Sequence, residues 1–150
     1  MANAEIIPVG MGELDLVAHL YNEVFTPPRD ANSFRRRFEG RMGPLILIAH
    51  LDKRPVGFLT AFELKPDTHF GWLAGVLPDF RRVGIASQLL EAHEAWARNE
   101  GYEILRFECH NRHRPMLHTA IAKGYDIVGL RWDNQHSDNL IIFEKELTVG

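Results

Sequence analysis

The sequence has very little cysteine, and this limits how the fold can be held together. Cys109 is the only cysteine among 150 residues, so no disulfide can form within the chain. Such sparse use of cysteine is typical of proteins from reducing compartments, and we expect the protein to be cytoplasmic. The N-terminus also lacks an apolar leader segment with a basic flank, which agrees with that expectation.

Long apolar runs and an excess of one charge are also absent. No stretch approaches the roughly 20 apolar residues of a membrane-spanning helix, so we expect no membrane partner. The 17 basic residues are balanced by 20 acidic residues, for a net charge of −3, which argues against a nucleic-acid partner. We find no repeat, low-complexity segment or linker. With 45% hydrophobic and 25% charged residues, the sequence predicts one globular domain over residues 1–150.

What the sequence does contain is a well-defined strand, turn and helix near its middle. Residues 70–77 are apolar throughout, which predicts a strand buried on both faces of a sheet. Pro78 ends the strand because it has no N–H to donate to a neighbouring strand. A helix is then predicted, because apolar and aromatic side chains recur at helical spacing, at Ile85, Leu89, Leu90, His93 and Trp96.

The turn before this helix is suited to an anion. The first turn of a helix leaves backbone N–H groups without partners, at the positive end of the helix dipole. Gly84 and Ala86 have little or no side chain, so a phosphate group can approach that backbone closely. Arg81 and Arg82 add two permanent charges beside it. The alternative is a tight strand-to-helix turn with two solvated arginines, and the local pattern does not choose between the two.

Two blocks of the sequence resemble the GNAT-type N-acetyltransferases, a family that uses acyl-CoA. Residues 76–86 resemble the family's acyl-CoA-binding signature, whose core is (Gln/Arg)-x-x-Gly-x-(Gly/Ala). The positions that match this core are Arg81, Gly84 and Ala86. Residues 114–125 resemble a later helix of the family that ends in Gly-(Phe/Tyr). The resemblance implies acetyl-CoA as the cosubstrate and an amine as the acceptor.

The resemblance also implies the fold class, a mixed α/β single GNAT-like domain. Its largely antiparallel central sheet has one parallel βαβ pair and is flanked by about four helices. Besides the helix after the turn and one over residues 115–124, the sequence predicts helices over 12–25 and 33–41, with Asp30 or Asn32 as a cap. Strands are predicted over residues 5–9, 45–51, 56–64, 70–77, 102–109, 125–132 and 139–147.

By resemblance, the end of the central strand and the following turn bind the cofactor. The backbone of Gly75 and Val76 would pair with the amides of the pantetheine arm, and a bulge at Gly75 would splay this strand from the fifth. An N–H near Val76 would meet the oxyanion. Asn111 and Arg114 would reach the nucleotide phosphates, as would Arg112, although solvated loop residues are the alternative. The N–H groups expected to hold the pyrophosphate belong to Arg81, Arg82, Val83, Gly84, Ile85 and Ala86.

Acetyl transfer also requires a neutral amine. An alkylammonium group with a pKa of about 10.4 must lose its proton before it can attack. Glu63 and Glu108 lie among apolar residues of predicted strands, where a carboxylate needs a partner or a function, and we predict Glu63 ahead of Glu108 as the general base. His69 or His110 would relay a proton through water. For each, the alternative is a paired or solvated residue at the end of a strand.

The acid that protonates the departing thiolate is missing from its usual place. Many family members have a tyrosine four residues before the Gly-(Phe/Tyr) pair, where this sequence has Ala120. His118 is the candidate replacement. A thiol with a pKa of about 8.5 is a tolerable leaving group without any acid, so the substitution affects the proton donor and not the reaction.

Cys109 lies near several histidines, which suggests two further alternatives. We expect no metal, because the spacing of His110, His113 and His118 matches no ordinary zinc signature. We also expect no thiol nucleophile, because no glycine-rich nucleophile turn accompanies Cys109 and a strand cysteine is usually a small core residue.

The sequence thus predicts an acyltransferase that passes an acetyl group directly to a small-molecule or peptide amine in a ternary complex. By resemblance, Tyr21, Phe25 and Phe34 are candidate walls of the acceptor pocket, whereas the arginine run 35–37 is expected to be a solvated helix face. A non-catalytic acyl-CoA-binding sensor is the alternative, favoured by Ala120, and an interaction domain without cofactor is a third possibility. Family members often pair through sheet edges, so a homodimer is expected.

Overall fold

The protein folds around one seven-stranded sheet, as seen in a computed structural model that describes residues 3–81 and 83–147. The strand order is β1-β2-β3-β4-β5-β7-β6, and every neighbouring pair is antiparallel except β4 and β5. The strands are β1 Glu5–Val9, β2 Leu45–Leu51, β3 Arg54–Lys65, β4 Thr68–Val76, β5 Ile104–His110, β6 Asp126–Asp133 and β7 Asp138–Glu146. The helices are α1 Leu14–Val24, α2 Ala31–Phe38, α3 Ile85–Asn99 and α4 Arg114–Ala122. The predicted fold class is confirmed.

The boundaries of the elements follow local signals. A 3-10 turn, Met11–Glu13, precedes α1 where the sequence predicts continuous helix. The second helix begins earlier than predicted because Asp30 is its N-cap, with Oδ1 accepting a hydrogen bond from the Ser33 N–H at 2.9 Å. It also ends three residues earlier, at Phe38, rather than at 41. None of the described helices is both long and apolar enough to cross a membrane.

The centre of the sheet is buried on both faces, which explains the apolar sequence of strands such as β2 and β3. Alternate residues of β2 point to opposite sides. Ile46 and Ile48 pack with α1 and α2, whereas Leu45 and Leu47 pack on the other face, where α3 lies. α3 also contacts the second half of the sheet, in a cluster with α4 that contains Leu90, Ala97, Leu105, Phe107, Ala120, Ile141 and Phe143. Helices therefore cover both faces of the central strands, whereas the edge strand β6 is largely exposed.

β4 and β5 separate halfway along their length. Their parallel pairing joins Thr68–Gly71 to Ile104–Phe107 and extends no further in the part of the chain that the structure describes. β4 continues to Val76 against β3, and β5 continues to His110 against β7. The two strands thus form a fork that opens toward their carboxyl ends.

The bulge expected at Gly75 lies three residues earlier. In the pairing of β3 with β4, Thr60 faces Leu73 and Ala61 faces Gly71, so Trp72 is the extra residue. Gly75 has a different function, because a Cβ there would lie 3.0 Å from Phe58 and 3.1 Å from Phe25. The bulge is therefore at the base of the fork, and the glycine permits close packing farther along the strand.

Candidate functional site

The fork opens into a cleft with a volume of about 990 Å³. One wall is β4 over residues 70–76, and the opposite wall is formed by β5 over residues 106–110. The start of α3 and the end of α1 complete it. The cleft therefore lies at the carboxyl ends of the parallel strands, where open α/β sheets bind ligands.

The first turn of α3 lies at the mouth of this cleft. Gly84 is the N-cap with a φ of +88°, a conformation that favours glycine, and no side chain caps the turn. The lining residues here are Gly84, Ile85, Ala86 and Ser87. Because helix N-termini have N–H groups without intrahelical partners, this turn offers donors to an anion.

The predicted arginines and Val83 of this turn have different environments. Arg81 lines the cleft and donates from Nε to the carbonyl oxygen of Val76 at 3.1 Å, which ties the turn to the end of β4. Val83 packs against the core beside Ile85 and Leu89. Arg82 lies outside the described residues.

Glu108 lies inside the cleft, on β5, and is paired. Its Oε2 accepts hydrogen bonds from Arg131 on β6, at 2.7 Å from Nη2 and 3.2 Å from Nε. Both side chains line the cleft. The two hydrogen bonds from Arg131 fix the orientation of the Glu108 side chain, so one of its oxygens is held in place at the cavity.

Glu63 and His118, the other two predicted catalytic residues, do not line the cleft. Glu63 accepts a hydrogen bond from the Tyr102 hydroxyl at 3.0 Å, near the start of β4. His118 is exposed on α4. Thr119, the next residue, lines the cleft instead.

Two predicted phosphate contacts also lie outside the cleft. Asn111 donates its backbone N–H to the carbonyl of Asn139 at 2.9 Å, and Arg114 is exposed at the start of α4. Arg112 does line the cleft, where its Nε lies 3.1 Å from Asp138 Oδ2. Of the loop residues considered, Arg112 is therefore the cation at the cavity.

Sequence reasoning did not anticipate a cluster of His110, Asp133 and His136 in the cleft. Asp133 Oδ2 lies 2.8 Å from His110 Nε2 and 2.8 Å from His136 Nδ1. His136 Nε2 lies 2.8 Å from the carbonyl oxygen of Thr26, which can only accept a hydrogen bond. Nε2 of His136 therefore donates to Thr26, whereas Nδ1 is the ring nitrogen that faces Asp133. The hydrogen bond from His110, and then that from His136, hold the pKa of Asp133 well below its usual range.

The three ligand-type atoms of this cluster lie within 4.8 Å of one another, so the cluster is also a candidate metal group. Two ligands of a tetrahedral zinc ion at about 2.0 Å stand about 3.3 Å apart. The two nitrogen–oxygen distances of 2.8 Å are shorter than that and fit hydrogen bonds. The arrangement is thus a hydrogen-bonded cluster that links the loop after α1 to the β6–β7 hairpin.

His113 and Cys109 complete this end of the cleft. Partial burial lowers the pKa of His113, and the nearby His110, Arg81 and Arg112 lower it further, which favours its neutral imidazole. Cys109 is buried, and burial raises its thiol pKa to about 12. His113 is therefore a second candidate base lining the cleft, whereas Cys109 has no thiolate character.

The wall from α1 and α2 is aromatic. Tyr21 and Phe25 line the cleft, as predicted, with ring centroids 4.9 Å apart. Phe34 is fully buried behind Trp72, with centroids 5.5 Å apart, and does not line it. Arg37 is exposed, as expected for the solvated helix face, and its guanidinium also lies 5.2 Å from the Trp72 ring centroid and lines the cleft.

Comparisons with known proteins agree with this geometry. Residues 14–124 match the acetyltransferase (GNAT) family. A comparison with curated proteins found no match. The fold is similar to the ribosomal-protein-S18-alanine N-acetyltransferase from Escherichia coli, with a TM-score of 0.84 and 16% identity, covering 99% of this chain and 96% of that one.

Two other solved structures have the same fold. One is the Salmonella typhimurium protein yncA, solved with its cofactor acetyl-CoA, with a TM-score of 0.78, 12% identity and coverage of 98% and 95%. The other is an N-acetyltransferase from Staphylococcus aureus Mu50, with a TM-score of 0.78, 19% identity and coverage of 98% and 100%. These identities support the fold alone. The family match spans most of the chain, and the protein belongs to the GNAT family of acetyltransferases.

Proposed function

We propose that the protein transfers an acetyl group from acetyl-CoA to an amine by direct attack in a ternary complex. The observation that carries this proposal is the fork between β4 and β5, with the uncapped first turn of α3 at its mouth. A thioester cofactor that extends from the turn into the fork would place its acyl group between the two strands. An amine entering from the α1 side would then meet it inside the cleft.

The residues fit the cofactor in three places. The backbone of Gly75 and Val76 lines the β4 arm of the fork, where the ladder to β5 has ended, and would pair with the pantetheine amides. The N–H groups at the start of α3 would hold the pyrophosphate. Arg112 is the loop cation that lines the cleft and would reach the nucleotide phosphates. Acetyl-CoA supplies the activated acyl group, and the protein holds it in place.

Glu108 is the best supported base among the three predicted catalytic residues, because it lies in the cleft and is held in place by Arg131. It would accept the ammonium proton directly or through one water molecule. His113 is the competing candidate because partial burial favours its neutral ring, which lines the same cavity. The position of the usual tyrosine is held by Ala120, which is fully buried, so the thiolate would depart without a proton from that position.

An Ala86→Asp variant tests the cofactor site. Ala86 is exposed in the first turn of α3. A carboxylate at this position interacts favourably with the helix dipole, so the variant should keep its fold. The same carboxylate would repel a diphosphate and occupy its N–H donors. We expect calorimetry to show tight acetyl-CoA binding by the wild type and at least tenfold weaker binding by Ala86→Asp. Ala95→Asp, which makes the same change at an exposed position farther along α3, is the matched control.

Release of free CoA in the presence of a panel of amines tests the reaction itself. Turnover with any amine supports the transferase and excludes a pure sensor. Tight acetyl-CoA binding without turnover of any amine would instead favour the non-catalytic module. Absence of acetyl-CoA binding, by both calorimetry and thermal stabilisation, would overturn both of these functions.

A further inference from the structure

Two arginine side chains stack on one tryptophan in the acceptor half of the cleft. The guanidinium carbon of Arg29 lies 5.5 Å from the Trp72 ring centroid, and that of Arg37 lies 5.2 Å from it. Arg29 also lies 5.4 Å from the centroid of Tyr21. All four side chains line the cleft. A guanidinium that contacts a ring with its flat face keeps its N–H edge free for another ligand.

The position of Arg29 is fixed by hydrogen bonds. The Asn22 side chain in α1 clamps its backbone, since Nδ2 donates to the Arg29 carbonyl at 2.9 Å and Oδ1 accepts from the Arg29 N–H at 2.8 Å. Asp30 follows at once as the N-cap of α2. The short connection between α1 and α2 is thus held at both sides, and Arg29 is directed over the aromatic wall.

These two guanidinium groups, like that of Arg81, have no carboxylate partner among the described residues, whereas three other arginines of the cleft do. Arg106 is paired with Glu144, Arg112 with Asp138, and Arg131 with Glu108. Arg29 and Arg37 form no ion pair in that part of the chain, although the protein as a whole has a net charge of −3. Partial burial, and then the charges of Arg41 and Arg29, lower the pKa of Arg37.

We propose that Arg29 and Arg37 form an anion subsite, so the acceptor is a small molecule that carries an amine together with a carboxylate or a phosphonate. The inference rests on the proposed acetyl transfer and names its acceptor class. A guanidinium fork matches the paired oxygens of such anions. The charge of Glu108 also acts on Arg37, so the two groups share one cavity. A bifunctional acceptor would place its anion on the arginines and its ammonium toward Glu108.

Paired acceptors test this subsite. We expect kcat/KM for CoA release to be higher for amino acids than for the matching amino acid amides and decarboxylated amines. Aminoalkylphosphonates distinguish a phosphonate preference from a carboxylate preference. Arg29→Gln and Arg37→Gln should each raise KM for the anionic acceptor by about tenfold to a hundredfold and leave KM for acetyl-CoA unchanged. Arg36→Gln, at an exposed neighbour outside the cleft, is the matched control.

A binding measurement keeps this test independent of turnover. N-acetylated amino acids, the products of the proposed reaction, retain the carboxylate, and ligand-observed NMR can compare them with their carboxamides. The subsite is supported if the wild type binds the acids more tightly than the carboxamides and if Arg29→Gln and Arg37→Gln lose this preference. This result supports the subsite even if no amine is acetylated. Equal binding or equal turnover of acids and amides would overturn the anion subsite, as would equal effects of Arg36→Gln and Arg37→Gln. Acetyl transfer to an amine without an anionic group would still stand in either case.

Discussion

His69 Nδ1 lies 2.8 Å from His93 Nε2 in the protein interior, where both residues have no exposed surface. His69 Nε2 lies 2.7 Å from the carbonyl oxygen of Gly43 and must donate to it. A neutral His69 therefore accepts at Nδ1, and His93 donates to it. His93 Nδ1 then has a lone pair and no partner among the described residues. The geometry thus fits two neutral rings.

This histidine pair predicts loss of stability in acid. Burial, and then the neighbouring His69, lower the pKa of His93 to about 3, and burial lowers that of His69. The unfolded chain binds these protons from about pH 6.5 downward and the folded chain does not. The free energy of unfolding should therefore fall with decreasing pH below 6.5, by about 1.4 kcal/mol per pH unit for His93 down to about pH 3, and His69 should add to this loss. Urea denaturation from pH 7 to pH 4 measures it, and His93→Gln should reduce the slope. An unchanged slope would contradict this assignment.

Glu108→Gln should lower kcat by about a hundredfold or more, as expected for loss of a general base. The amide keeps the shape of the side chain, so KM for acetyl-CoA should not change. Glu63→Gln is the matched control, because Glu63 is bonded to Tyr102 away from the cleft. Steady-state kinetics of both variants provide the measurement. If Glu63→Gln loses as much activity as Glu108→Gln, or if only a His113→Gln variant is impaired, Glu108 is not the base.

Cys109 should resist alkylation in the folded protein. Burial, and then the charge of Asp138, raise its thiol pKa to about 12, so almost no thiolate is present at pH 8. Mass spectrometry after treatment with iodoacetamide should find the native protein unmodified and the urea-unfolded protein fully modified. Cys109→Ser should retain acetyl transfer. Rapid native labelling together with loss of activity on alkylation would revive the thiol-nucleophile mechanism.

Gly75→Ala should destabilise the fold. The added Cβ would lie 3.0 Å from Phe58, 3.1 Å from Phe25 and 3.2 Å from Val24, which is too close for unstrained packing. Overpacking of this kind costs about 1–3 kcal/mol. The matched control is Gly12→Ala, because a Cβ there would have nothing within 4 Å. Urea denaturation compares the two variants, and equal stabilities would show that α1 moves aside at no cost.

Local chemistry made much of the fold predictable. β2 has its predicted bounds because both faces of Leu45–Leu51 are apolar and a Gly-Pro turn precedes it. The turn at Gly84 was also visible, because its glycine and the following helical spacing are adjacent in sequence. Such features need no knowledge of distant residues, so a single sequence is enough to find them.

The remaining parts of the site depend on contacts between distant segments. Asp133 and His136 meet His110 only because the β6–β7 hairpin returns beside β5, 23 and 26 residues later in the chain. Arg37 reads as part of a solvated run until Trp72 is placed beneath it. Glu63 and Glu108 have similar neighbours in sequence, yet only Glu108 lies beyond the point where the strands separate. Register and topology decide these cases, and neither follows from local pattern.

The separation of β4 and β5 has a consequence for how a ligand can bind between them. Beyond Gly71 and Phe107, β3 holds one arm of the fork and β7 holds the other, so neither strand is free to move across and close the gap. The described pairing of β4 with β5 ends there, so the backbone groups of the two arms that face the gap are not bonded to each other. A ligand that contains amide groups can form hydrogen bonds with these backbone groups, and neither strand has to bend. The binding site is therefore preorganised, and we expect little rearrangement of the protein when a ligand binds.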